Sequence, residues 1–375
     1  MKRAMSGPES RRDGEFLDGG LLRGAVSPVA GGHAFATLDG VRAVAAAAVV
    51  VHHGPDLFGV PGGSLYLAVD VFFVVSGFVI AHAFGPAIAA RGAPAFLRLR
   101  LTRLAPLYAL GLALGTAVAL RAAALRPGIA ADDLVLSIVA GLLLLPVPAT
   151  GAAFLYPLMP VAWSLALEIG VNALAALVWG RLSGSALGVV LVGAALALSL
   201  VALRQGGLDV GWNGATALGG PPRALYGFAA GLLLHRLWAS GRGRLRLPAI
   251  LVLAAIALML ALPPAVPRAG WDLAVVLVAA PALVWLAVCS KPPPRLHRLC
   301  VAAGGISYAI YALHLPLLRL GRAMFADILS PPWTALAGIG LIAATAGAAT
   351  VLYDRPLRRW MAPRLRPALR VGGAR

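Results

Sequence analysis

The chain has 375 residues, 60% of them hydrophobic and 12% charged, and its net charge of +18 is carried almost wholly by arginine. Soluble domains are about 25% charged, so this composition excludes a water-soluble globule and indicates a polytopic membrane protein. No soluble basic domain is visible that would serve nucleic-acid binding, and most of the arginines read as positive-inside anchors against anionic lipid headgroups.

Residues 1–34 are polar and Gly-rich, with Lys2, Arg3, Arg11, Arg12 and Arg23. No apolar core follows within the length of a signal peptide, so a disordered basic cytoplasmic tail is expected. Apolar segments then follow at 37–54, 64–85, 103–121, 133–148, 161–179, 185–203, 222–239, 247–263, 271–289, 301–320 and 333–353. In hydrocarbon a spanning segment must satisfy its own backbone, and strand-period alternation is missing. The expected fold is therefore all-α, a membrane helix bundle over 35–360, rich in the Ala and Gly that let helices approach closely. A second basic cytoplasmic tail is expected at 361–375, with no appended soluble domain.

The basic stretches 86–103, 242–246 and 291–298, together with both tails, all favour the inner side. Eleven crossings cannot satisfy every one of them. The expectation is ten crossings plus one re-entrant or interfacial segment. The shortest candidate is 133–148, which opens near Asp132 and Asp133 and meets Pro146 and Pro148. Cys289 and Cys300 flank a basic Pro-rich stretch and suggest neither a disulfide framework nor a metal site.

Ionisable residues within such a bundle are functional candidates by default. In LDGVRAVAAAAVVVHHG, Arg42 and His53 are eleven residues apart and return to nearly one helix face, with Asp39 within about 40° of it. His52 points elsewhere. The second segment carries Asp70 and Ser76 in VDVFFVVSGFVIA; a serine here can also simply bond its own helix backbone. In FLRLRLTRLAPLY, Arg100 and Arg103 share a face if helical, and two guanidinium forks so placed suit phosphates, although lipid anchoring explains them as well. AWSLALEIGVN spaces Ser164, Glu168 and Asn172 by four, and a structural salt bridge to an arginine of another helix is the alternative role for Glu168. GGISYAIYALHLPLL puts Ser307, Tyr311 and His314 on one face, with Tyr308 and Tyr311 also suited to an aromatic belt. Together these residues describe a buried polar cavity.

These five stretches, in this order, resemble the acyltransferase 3 family of integral membrane acyltransferases, over roughly residues 35–360. The resemblance implies transfer of an acyl group, often acetyl, from cytoplasmic acyl-CoA to a hydroxyl, usually of a carbohydrate or glycolipid at the far side of the inner membrane. It implies acyl-CoA as donor substrate and no tightly bound cofactor. The family's essential first-helix histidine falls on His53 and its arginine on Arg42. Its Arg-x-x-Arg pair falls on Arg100 and Arg103, and its acid after Trp163, Ser164 and Leu165 falls on Glu168. Its late Ser-Tyr and Tyr-x-x-His positions fall on Ser307, Tyr308, Tyr311 and His314. Two departures stand out: Ile169 occupies the place of a second acid, and the closing YDRPLRR has Asp354 two places before Pro356.

On this reading Arg100 and Arg103 hold the phosphates of CoA. His53 is a general base toward the acceptor hydroxyl or a covalent acyl relay, with Asp39 or Glu168 balancing charge and Arg42 steadying the thioester end or the oxyanion. Arg42 and His53 are separated by roughly 16 Å along the helix axis, so they act at different places. The competing class is a transporter or flippase of a polar or anionic solute, which also places charges at midplane, but no broken-helix repeat is present.

Overall fold

The structure is a computed structural model that describes residues 35–59, 63–125, 131–147, 153–242, 247–264, 266–325 and 327–361. The basic tail 1–34, all but the first residue of 361–375, and the basic stretch 243–246 lie outside the described residues.

Every regular element among the described residues is helical. In chain order the main helices are α1 (Ala36–His52), α2 (Ala68–Leu125), α3 (Ala131–Leu142), α4 (Ala162–Leu177), α5 (Gly184–Gln205), α6 (Gly220–Ala239), α7 (Ala249–Ala261), α8 (Arg268–Cys289), α9 (Pro294–Phe325) and α10 (Pro331–Ala348). α8 contains a π-helical turn at Val275–Ala279, and another, Ala349–Asp354, follows directly on α10. All eleven apolar segments expected from the sequence fall within or beside these helices. Among the described residues, five stretches are long and apolar enough to cross a membrane: Leu65–Arg121, α5, α8, α9 and Trp333–Met361. The chain is a multi-pass, all-α membrane protein.

The basic stretch 86–103 is part of α2, whose two arms meet at Gly92, the one position in that helix with non-helical angles (φ 77°, ψ 175°). Arg98, Arg100 and Arg103 therefore stand on a helix, which fixes their relative directions. The segment 133–148, the one expected not to cross, lies within and just beyond α3, which has only 12 residues. At 1.5 Å per residue these cover about 18 Å, short of a hydrocarbon core of about 30 Å.

The surface pattern is that of a lipid-facing bundle. On α5, Leu187, Leu198 and Ala202 are buried, whereas Val189, Val192, Leu196 and Leu203 form an exposed apolar stripe at helical spacing. Lipid tails are as apolar as leucine, so helix association depends on close packing rather than on escape from water. α2 packs most extensively along α6, and α1 along α9. At the α2–α6 crossing a Cβ on Gly77 would run into the carbonyl oxygen of Phe228, and one on Gly231 into that of Val74. The backbones touch because neither residue has a side chain. Gly231→Leu is therefore expected to abolish the monodisperse peak of the detergent-extracted protein on size-exclusion chromatography. The same change at Gly193, where a Cβ would meet nothing within 4 Å, should leave that peak intact.

Candidate active site

α1, α2, α4 and α9 enclose two adjoining cavities. The larger, of about 310 Å³, takes Arg42 from α1, Ser76, Arg100 and Arg103 from α2, Ser164 and Glu168 from α4, and Ser307, Tyr308 and Tyr311 from α9. The smaller, of about 160 Å³, takes His52 and His53 from the end of α1, Trp163 from α4, Arg223 from α6 and again Tyr311. Val69 and Tyr311 line both. The two cavities thus lie toward opposite ends of α1, and their shared wall is one or two side chains thick.

The larger cavity is basic, with one carboxylate at its centre. Glu168 Oε1 accepts from Arg100 Nη2 at 2.6 Å and from Ser76 Oγ at 2.9 Å. Ser76 thus bonds across to α4 instead of to its own helix. The ion pair neutralises Arg100, which is buried, while Arg42 and Arg103 remain as cations on the wall. Arg42 has only a long contact of 3.8 Å to Asp39, one helical turn back. Asp39 itself packs against Gly304 at the α1–α9 crossing and is not part of the wall. Arg358, just beyond the last apolar segment, also enters this cavity and pairs with Asp354. In the sequence it is indistinguishable from an anchoring arginine.

The floor toward the smaller cavity is polar and committed. Ser164 and Tyr311 share a hydrogen bond between their hydroxyls, and the hydroxyl that accepts in it donates its own proton to the Val161 carbonyl, which lies 3.1 Å from Ser164 Oγ and 3.2 Å from the Tyr311 oxygen. Tyr308 donates to Leu104 O at 2.9 Å and Ser307 to Gly304 O at 2.8 Å. Both tyrosines face inward and do not form an aromatic belt.

At the other end of α1 the hydrogen bonds define the state of His53. His314, fully buried, places Nδ1 at 2.8 Å from Tyr311 O and 3.2 Å from Ile310 O. Carbonyls only accept, so Nδ1 carries the proton and a neutral His314 offers Nε2 as an acceptor. That Nε2 lies 3.2 Å from His53 Nδ1, which is also 2.9 Å from Val49 O. His53 Nδ1 is therefore the protonated nitrogen, and Nε2 retains its lone pair. His314 lines neither cavity but fixes the tautomer and orientation of the residue that does.

His52, off the polar stripe by helical phase, nevertheless lines the smaller cavity, its ring centroid 4.9 Å from that of His53. His53 caps α1 with right-handed helical angles, so phase still separates the two, and the cavity is wide enough to take in both imidazoles. His52 Nδ1 is enclosed without a hydrogen-bond partner. Asp70 stands apart from both cavities: its two oxygens take Arg223 Nε at 3.1 Å and Nη2 at 2.6 Å, and both side chains are 1% exposed. Trp163 lies beneath the Arg223 guanidinium, 5.3 Å from its ring centroid. Arg223 was detectable in the sequence, being an arginine inside an apolar segment. Asn172, third in the Ser164–Glu168 seam, is buried and lines neither cavity.

A family model described as an acyltransferase domain, that of acyltransferase 3, matches residues 35–353. A curated protein of Rhizobium radiobacter, named "Protein 2 in picA locus", is 43% identical over 161 residues, covering 39% of this chain and 82% of its own length. No solved structure matches the chain.

Proposed function

Since the chain belongs to the acyltransferase 3 family and is a membrane acyltransferase, we propose that it moves an acyl group, acetyl in the simplest case, from acyl-CoA to a hydroxyl of a carbohydrate or glycosylated acceptor at the inner membrane. The observation that carries this reading is the division of the polar residues between two cavities in contact. A cluster of arginines lies at one end of α1, and an imidazole with a free Nε2 lies at the other.

The larger cavity suits the donor. Arg103 and Arg42 meet the phosphates as cations, joined by the guanidinium of Arg358, while Glu168 keeps Arg100 oriented. The termini and the Arg end of the bundle face the cytoplasm, where acyl-CoA is made. The thioester reaches the Tyr311 junction, and the acceptor enters beside His53. His53 Nε2 takes the proton of the acceptor hydroxyl as its oxygen forms a bond to the thioester carbonyl carbon. The tetrahedral intermediate collapses by breaking the C–S bond, and the CoA thiolate leaves, to be protonated. His314 holds His53 through Nδ1 and stabilises the imidazolium that forms, acting by orientation as the third member of a relay does. A thioester is already activated, so orientation and charge placement are sufficient help.

The experiment is transfer of label from [14C]acetyl-CoA to membrane glycans by membranes containing the protein. Arg103→Ala should raise the KM for acetyl-CoA about ten- to a hundredfold, the loss expected for a hydrogen bond to a charged group, with a smaller effect on kcat. A membrane that binds acetyl-CoA but never transfers label to a hydroxyl would sink the proposal. Uptake of an anionic solute by vesicles would instead favour the transporter class.

A further inference from the structure

The smaller cavity continues outward into groups that the mechanism does not use. Asp209 and Trp212 come from the connection between α5 and α6, and Phe154 from the segment before α4. Phe154 and Asp209 are exposed at the rim. The two aromatic rings stand at 44° with centroids 5.5 Å apart and line the same cavity as His52 and His53.

This rim is held rigidly. Trp212 Nε1 donates to Asp209 Oδ1 at 3.1 Å, and the Trp212 carbonyl accepts from Leu155 N at 3.0 Å, which joins the two rim segments. Arg223 Nη1 donates to Val210 O at 2.8 Å from beneath. Asn213 Oδ1 accepts from both the backbone N and the hydroxyl of Thr216, and that hydroxyl accepts from Gly211 N. Gly211 has φ 103°, and a Cβ there would press on Gly220 and on the Trp163 ring at 2.8 Å each. Only glycine lets the chain pass between α6 and Trp163 and present Trp212 on the other side.

We propose, on the footing of the acyl transfer above, that this rim is the acceptor subsite: Trp212 and Phe154 receive the C–H face of a pyranose ring, and Asp209 accepts hydrogen bonds from its hydroxyls. An aromatic plane bordered by a carboxylate matches the two surfaces of a sugar ring, apolar on its faces and rich in hydroxyls at its edge. The charge balance argues against an anion. Arg223, the cation lining this cavity, is neutralised by Asp70, so Asp209 leaves the rim negative. A lipid tail has no use for the carboxylate. The subsite aims one ring hydroxyl at His53 Nε2, and His52 Nδ1 supplies a further unpartnered polar atom beside it.

The test measures initial rates of acetyl transfer from acetyl-CoA to a panel of methyl pyranosides, using the full chain in membranes. The methyl pyranoside that the wild-type protein acylates fastest is then used for the variants. Trp212→Ala should raise the acceptor KM roughly tenfold, the equivalent of one lost aromatic stacking contact, with the acetyl-CoA KM unchanged. Trp212→Phe should restore it to within about threefold, since the ring remains. Asp209→Asn, which keeps an oxygen for Trp212 Nε1, should lower kcat/KM for the acceptor about tenfold. An unchanged acceptor KM in Trp212→Ala overturns the subsite. So does a wild-type protein that cleaves acetyl-CoA yet acylates no pyranoside of the panel. A wild-type protein that does not cleave acetyl-CoA at all overturns the acyl transfer itself.

Discussion

His53→Ala lowers acyl transfer by about a thousandfold, the middle of the range for loss of a general base, and leaves acetyl-CoA binding in place. Binding is expected to be retained because the arginines proposed to meet the phosphates lie toward the other end of α1, in the larger cavity. The measurement is a pair: single-turnover transfer of labelled acetyl, and equilibrium binding of labelled acetyl-CoA to the same membranes. Near-normal turnover would remove His53 from the chemistry. His314→Ala separates positioning from catalysis. It should lower kcat about tenfold or more by freeing the His53 tautomer, whereas acetyl-CoA and acceptor KM values stay within about twofold.

The second large effect is on stability. Arg223 and Asp70 are each 1% exposed and bonded through both carboxylate oxygens to the Nε and Nη2 of one guanidinium edge. Removing one partner leaves an uncompensated charge in the bundle, which costs about 3–5 kcal/mol. Asp70→Ala and Arg223→Met should each lower the detergent melting temperature sharply or prevent recovery of folded protein. Asp70→Leu combined with Arg223→Met removes both charges, and should melt well above either single variant and close to the wild type. A double variant no better than the singles would mean that the ion pair itself, rather than its completeness, holds α2 against α6.

The shared phase of Arg42 and His53 could be read in the sequence because His53 caps α1 with right-handed helical angles, so 3.6 residues per turn fixes the phase up to it. The same rule set His52 aside, yet the smaller cavity is wide enough to take in both imidazoles. The bend in α2 was not read from the sequence: Pro94 is accommodated in the helix and only Gly92 leaves the helical region. The pairings were beyond reach for a different reason. That Glu168 takes Arg100 and Ser76, and Asp70 takes Arg223, depends on which helices cross, which no local pattern records. Asp209, Trp212 and Phe154 lie in connections, where periodicity carries no signal at all. Arg358 follows the last apolar segment, where a basic residue is the ordinary marker of the inner surface.

The shared wall at Val69 and Tyr311 has an energetic side. Two polar cavities indent this protein from the two ends of α1, and an open passage between them would dissipate the ion gradients that the membrane exists to hold. A charge crossing such a passage releases about 2.3 kcal/mol per 100 mV. The bond between the Tyr311 and Ser164 hydroxyls therefore stands where a partition must. On the proposed reading an acyl group is admitted at a point that must stay closed to protons, and the seal there is a wall of Val69 and Tyr311, one or two side chains thick.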